Sequence, residues 1–440
     1  MNVEYKKIDM TSFQLHTIKT DRFKTVTIRV CLRDKIVKEE ITLRNILASF
    51  LTYSTEKYPT KREITLKAQD LYAVNVYTKS YRSGKFNMIN FCMSLLNEKY
   101  TEVGMLEESI KFLSEIIFHP NFKNDATFDE AYKFLYDSVE NSMKEIKENP
   151  TTYSVIRMLE EMDSNMPYGY REFGYMDDLK NINKEKLVEY YDKIINNSLV
   201  DVYVIGNIDS NEIEKLLKKY FLFPTYKRPK ESQLIEHDKL PTKIREVKEP
   251  IEGNQSKLSI GCKIGPLTEF ERNYVLTIYN MILGGNSESK FFQIIREKNS
   301  LAYYVYSSLN KLDSLMIIKA GISKENYDKT IKLIKNLMKE MTLGDFTEEQ
   351  INVVKENYIS LLKEIEDNEN AIIETYLAKD LLNLGSIEER KKEVMKVTKA
   401  DIIKVAKKVK IDTIFLLEGV TDNENNWVNW AWTKCILWKT

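Results

Sequence analysis

The chain has 440 residues, 43% of them hydrophobic and 30% charged, and its 66 basic residues equal its 66 acidic ones. That length and apolar share suit about two to four globular domains with a sizeable core. The neutral balance excludes a strongly basic nucleic-acid binder, and 14 glycines leave little for phosphate-cradling loops: Gly284-Gly285 is the one doublet, without the Lys-Ser/Thr that follows in a P-loop.

Alternation over residues 13–32 predicts strands with a turn near Thr20 and Asp21. Thr42–Tyr53 reads as a helix with Leu43, Ile46, Leu47, Phe50 and Leu51 on one face and Thr42 as its cap. A second amphipathic helix, Thr60–Leu71, follows Pro59. Ala73–Ser80 and Lys85–Leu95 form an expected antiparallel pair. Helices then follow over Leu106–Phe118, Phe128–Glu148, Thr152–Met162 and Lys184–Ile195, and a strand over Val200–Ile205. Residues 222–250 hold four of the nine prolines, with mixed charge and little periodicity, and read as a linker.

After it the pattern repeats. Strands are expected at Ser256–Ile264, Tyr303–Leu309, Ser314–Ile322 and Thr413–Leu417. Helices are expected at Glu269–Leu283, Lys290–Lys298, Tyr327–Met341, Phe346–Glu366 and Lys399–Val409. The segments starting at Phe128, Asn183 and Asp201 align with those starting at Phe346, Thr398 and Asp412, offset by 218, 215 and 211 residues. Three matches in one order at a near-constant offset point to a duplicated domain.

Cys31, Cys92, Cys262 and Cys435 lie far apart with no C-x-x-C pair, which suits a reducing compartment. The first residues carry no apolar signal core, and no apolar run is long enough to span a bilayer, so a cytoplasmic location is expected. All four tryptophans, Trp427, Trp430, Trp432 and Trp438, crowd into the tail. That tail is read as an appended end, disordered or not native, in preference to a membrane or partner anchor.

The duplication, the linker, LGGNSESKFFQIIREKNSLAYYVYSS and the strand ending in VIGNID together resemble the insulinase/pitrilysin-type metallopeptidases in their two-domain form. NEKY, LSEIIFHPNF and RMLEEM are most similar to a metal-less branch of that family. The resemblance covers about residues 10–420. It implies an α+β chain of two homologous α/β-sandwich domains, each an antiparallel sheet packed with helices. These would be residues 1–221 and 251–420, joined by the 222–250 linker and followed by the 421–440 tail.

Active members of the family carry H-x-x-E-H on the first long helix, with two zinc-binding imidazoles and a glutamate as general base. Anchored on KYPT, the matching positions are Asn45, Ile46, Leu47, Ala48 and Ser49, and the third ligand falls near Ser138, with Glu140 close by. The three histidines of the chain, His16, His119 and His237, are scattered and read as surface or loop residues. No zinc and no independent peptidase activity are expected. Neither a G-x-S-x-G elbow nor a Cys-His arrangement offers another nucleophile.

In the family, the half without zinc supplies an arginine and, seven residues later, a tyrosine to the partner's zinc site. Arg296 and Tyr303 match in type and spacing. Outside the family pattern they would read as an ordinary charged helix end and an ordinary strand residue. Tyr304 and Tyr306 are competing phenols, which strand alternation puts on the face opposite Tyr303. Substrate binding in the family resembles addition of a peptide strand to a sheet edge, for which Ala73, Val74, Asn75, Val76 and Tyr77 are the candidates. The resemblance thus implies a zinc-less subunit of a heterodimeric peptidase, working with a zinc-bearing chain of the same family on a peptide substrate. The alternative is a structural or peptide-binding protein with no part in proteolysis.

Overall fold

The computed structural model describes residues 3–225 and 232–420, so the tryptophan-rich tail and the centre of the expected linker lie outside the described residues. The chain forms two compact units. Unit 1 comprises Met1–Glu145, Arg171–Gln233 and Glu364–Leu377; unit 2 comprises Ile146–Tyr170, Leu234–Lys363 and Ala378–Thr440.

Unit 1 holds strands β1 (Glu4–Asp9), β2 (Gln14–Lys19), β3 (Thr25–Lys35), β4 (Asn75–Ser83), β5 (Phe86–Leu96) and β6 (Leu199–Gly206). Their order in the sheet is β1-β2-β6-β3-β5-β4. Central β3, β5 and β6 are almost wholly buried, as expected of strands covered on both faces. Helices α1 (Ile41–Leu51), α2 (Lys61–Asp70), α3 (Met105–Phe118) and α4 (Asp125–Glu145) lie within a few residues of the expected limits. Helix α2 starts on a capping box, with Thr60 accepting from the Glu63 amide and Glu63 reaching back to the Thr60 amide. Thr42 is not a cap: it lies inside α1, where its Oγ1 accepts from the Tyr175 amide at 2.9 Å.

Unit 2 opens with helix α5 (Pro150–Met162), capped by Asn149 with proline in its first turn. Its strands are β7 (Arg245–Glu252), β8 (Ser256–Ile264), β9 (Ala302–Asn310), β10 (Leu315–Ile322) and β11 (Val409–Val420), in the order β7-β11-β8-β10-β9. Without β1 the two sheets have the same strand order, as a duplication requires. Each sheet is mixed, not antiparallel throughout. In each, the first and last strands of the repeat run parallel, β2 with β6 and β7 with β11. The many residues between those strands leave the chain free to return in either direction.

Two features depart from a contiguous reading. The stretch 222–250 includes most of β7, and Ile235 is buried beside Phe415 and Leu417. As an edge strand, REVKEPIE carries charge on its exposed side and so shows no clear apolar alternation. Helix α5 packs on the unit 2 sheet. Its Met158 and Met162 lie over Gly261, where a Cβ would meet their sulfurs at 2.5 and 2.1 Å. Glycine in β8 is what lets the helix approach so closely. In unit 1 the corresponding cover comes from residues 364–377: Arg29 donates to Glu374 and Asn370, and Tyr5 stacks on Tyr376 at 4.2 Å. Among the described residues no helix is long and apolar enough to cross a membrane.

Candidate functional site

Helix α1 carries the motif positions in unit 1. The Asn45 amide is held from both ends: Nδ2 donates to the Glu172 carbonyl at 2.8 Å, and Oδ1 accepts from Ser80 Oγ at 2.7 Å and Arg44 Nη2 at 3.4 Å. Ala48 is buried in the core, and its carbonyl accepts from Thr78 Oγ1 at 2.6 Å. Ser49 is half-buried one turn from Asn45. Ser138 sits exposed on α4, and neighbouring Glu140 pairs with Lys144 at 2.9 Å. An amide, a methyl group and two hydroxyls do not make a zinc site, which needs imidazole, thiolate or carboxylate donors. These residues do not fit the metal.

Beside Asn45, Arg44 is fully buried. It donates to Asn87 Oδ1 and, at 3.2 Å, to the Glu172 carbonyl. Burial pulls its pKa below the ordinary arginine value. Glu172 in turn accepts from the Arg82 amide at 3.1 Å, so one loop ties α1 to β4. The space next to the expected motif positions is thus consolidated by internal hydrogen bonds.

Two histidines are interior, contrary to the surface or loop expectation. His16 lies in β2 at 0% exposure, between Tyr5 Oη at 2.9 Å and Asp201 Oδ1 at 3.1 Å, and stacked on Tyr203. His237 is buried, with Nε2 3.0 Å from the Asp313 carbonyl, and burial lowers its pKa so that the neutral ring is favoured. His119 is exposed just after α3. Alternation placed His16 on a strand but could not show that the far face of that strand is also covered.

Strand β4 is an edge of the unit 1 sheet, paired only with β5 among the described residues. Asn75, Val76 and Tyr77 lie in it. Ala73 and Val74 precede it: Ala73 follows Tyr72 in the left-handed region, at φ 59° and 62°, and Val74 is buried.

In unit 2, Arg296 and Tyr303 flank one turn. Phe291–Lys298 is π-helical, a form that recurs at functional sites. Phe291 and Ile295 anchor it in the core. Asn299 Nδ2 closes it on the Ile294 carbonyl at 2.7 Å, and the Ser300 and Leu301 amides return to Arg296 and Ile295, each at 3.0 Å. Ser300 takes φ 51°, which turns the chain into β9. The Arg296 guanidinium lies 4.6 Å from the Phe292 ring centroid and its Nε 3.6 Å from Glu297, with 43% of the side chain exposed.

Strand β9 is the other sheet edge, paired only with β10 among the described residues. Tyr304 pairs with Gly321 while Ala302 pairs with Ile322, so Tyr303 is the extra residue of a β-bulge. Plain alternation would put Tyr303 on the side of Val305 and Ser307, both buried. The bulge re-aims it, and it stands 64% exposed. Tyr304 lies against Gly321, with its hydroxyl 3.3 Å from Thr151 Oγ1, and stacks obliquely with Tyr306. The Gly284-Gly285 doublet is structural here: Gly284 accepts from the Ser307 amide at 2.7 Å, and a Cβ there would strike Phe291.

Two mixed sheets in the same strand order, on a chain with no zinc-ligating side chain at positions 45, 48 and 49, are the features to set beside known proteins. Residues 181–358 match the family model described as the Peptidase M16 inactive domain. The chain is similar to a protein of Bacillus subtilis named "Probable inactive metalloprotease YmfF", 29% identical over 92% of this chain and 95% of that one. The "Uncharacterized zinc protease YmxG" of the same organism is 26% identical over 54% of this chain and 59% of its own. A conserved protein from Enterococcus faecalis has a solved structure that superposes with a TM-score of 0.86 at 25% identity, over 96% of this chain and 99% of that one.

Proposed function

We propose that this chain is the zinc-less subunit of a heterodimeric zinc metallopeptidase, in which a zinc-bearing chain of the same family supplies the metal. The observation that carries the reading is the bulge at Tyr303. A tyrosine that strand alternation would bury is held out in solvent, seven residues after an exposed arginine, on a chain whose own metal positions are spent on internal hydrogen bonds. In the complex Arg296 donates charge-assisted hydrogen bonds to a substrate carbonyl. The Tyr303 phenol donates to the oxyanion that forms as the peptide carbonyl is attacked. The edge strand β4, through Asn75, Val76 and Tyr77, pairs with an extended stretch of the substrate. The buried, unpaired Cys31, Cys92 and Cys262 suit a reducing, cytoplasmic setting.

The test mixes the purified chain with a zinc-bearing relative encoded in the same organism and follows cleavage of a fluorogenic peptide. Complex formation by light scattering is measured alongside. The expected result is turnover by the mixture well above either chain alone, lost with Arg296→Ala or Tyr303→Phe while the complex persists. Unchanged turnover in those variants within an intact complex would remove the catalytic role. A stable homodimer that binds peptides and ignores the zinc-bearing chain would establish the structural alternative.

A further inference from the structure

The unit 2 sheet leaves one short stretch of strand without a neighbour. Strand β11 begins at Val409, but β7 joins it only from Thr413, opposite Arg245. Val409, Lys410 and Ile411 therefore pair with β8 on one side and with no strand on the other among the described residues. The segment ahead of β7, Pro241–Ile244, runs apart from β11, and helix Tyr327–Leu343 forms the third wall. Between them lies an open groove of about 320 Å³.

Its lining has two characters. Ile244, Met338 and Ile411 are among its apolar residues, while Lys243, Lys335, Lys339 and Lys410 bring four positive charges and no carboxylate lines it. Only Lys335 has an acidic neighbour, Glu246, at a loose 3.7 Å. Lys243, Lys339 and Lys410 are exposed and make no ion pair among the described residues. Clustered lysines repel one another, so a groove of this kind favours a ligand that brings the opposite charge.

We propose that this groove docks an extended, acidic segment of a partner protein as a short added strand beside Val409–Ile411. The unpaired strand edge offers backbone hydrogen bonds in a peptide's own repeat. Alternate side chains of such a segment then meet the apolar wall and the lysines in turn. An inorganic anion would use the lysines but neither the apolar wall nor the strand edge, which is why a peptide is the better fit.

The full chain is titrated against a fluorescent peptide of alternating glutamate and valine, about eight residues long, and against its lysine–valine counterpart, by polarisation. Preference for the acidic peptide by about tenfold or more is expected, together with weakening as salt screens the charges. The double variant Lys339→Glu/Lys410→Glu, at exposed positions that folding tolerates, raises Kd by at least about tenfold. Equal binding of the two peptides, or an unchanged Kd in the double variant, overturns the proposal. So does displacement by tripolyphosphate that is as effective, charge for charge, as displacement by unlabelled acidic peptide, because the groove would then be a general anion patch.

Discussion

Helix α1 in unit 1 and the π-helical turn into β9 in unit 2 treat their polar groups in opposite ways. Around α1 the Asn45 amide, Ser80, Arg44 and the Glu172 carbonyl hydrogen-bond to one another. At the turn, Arg296 has, among the described residues, a neighbouring ring and a loose contact to Glu297, and Tyr303 is pushed out of the sheet. A polar residue kept for stability tends to be buried and paired, because an unpaired buried group is costly. An exposed pair held in place by a bulge and a closed turn is what the proposed subunit role requires.

The sharpest way to break this contrast is at the turn. In the mixed complex, Arg296→Ala or Tyr303→Phe is expected to lower kcat/KM by about 10²–10³-fold, as for loss of one oxyanion donor. Melting of the isolated chain should be unchanged, and a fall in melting temperature with activity retained would make the pair structural. At α1 the reverse is expected. Arg44→Met destabilises the chain by about 2 kcal/mol, because the orphaned Asn87 and Glu172 acceptors outweigh the relief of burying a charge. Denaturant titration reads this directly, and an equal or higher midpoint would show the network to be dispensable. Asn45→Ala should cost about 1 kcal/mol by the same measurement, with no effect on turnover in the complex.

The smallest effect is on acid stability. In the strand–helix order of the repeat, the counterpart of α1 is the stretch from Glu271 to Leu283, which begins as a π-helical turn, Glu271–Val275. Glu271 is buried, which by itself would raise its pKa. Lys404 and Lys408, at 2.7 and 2.9 Å, and the Thr268 amide outweigh that and hold the carboxyl at about 2. A folded-state pKa below the ordinary carboxylate value contributes stability above about pH 4.5, lost as pH falls toward 2. Glu271→Gln should flatten the melting temperature across that window. An unchanged slope would show that the pairing does not act.

Much of the architecture was legible because amphipathic periods are local. Most helices began and ended within a few residues of the expected limits, and β8 fell on its expected residues. What was missed has physical reasons. β7 is a charged edge strand with little apolar alternation. β1 is exposed over most of its length. The helix Ser210–Tyr220 was passed over although Asp209 caps it. Helix α5 has the amphipathic pattern of any covered helix, and nothing local says which sheet will cover it.

The sequence by itself determined that no imidazole stands at positions 45 and 49 and no carboxylate at 48, since ligand chemistry is a property of residue type. It also determined that Arg296 and Tyr303 stand seven residues apart, and that the chain carries a repeat. Tertiary structure alone decided that Asn45 is tied into internal hydrogen bonds and that His16 is interior. It alone decided that Tyr303 faces outward, because the bulge exists only in the pairing of β9 with β10. The lysine groove beside β11 has the same origin, since it depends on where β7 joins its neighbour. Residue identity is local, whereas exposure and register follow from long-range pairing that no stretch of sequence carries on its own.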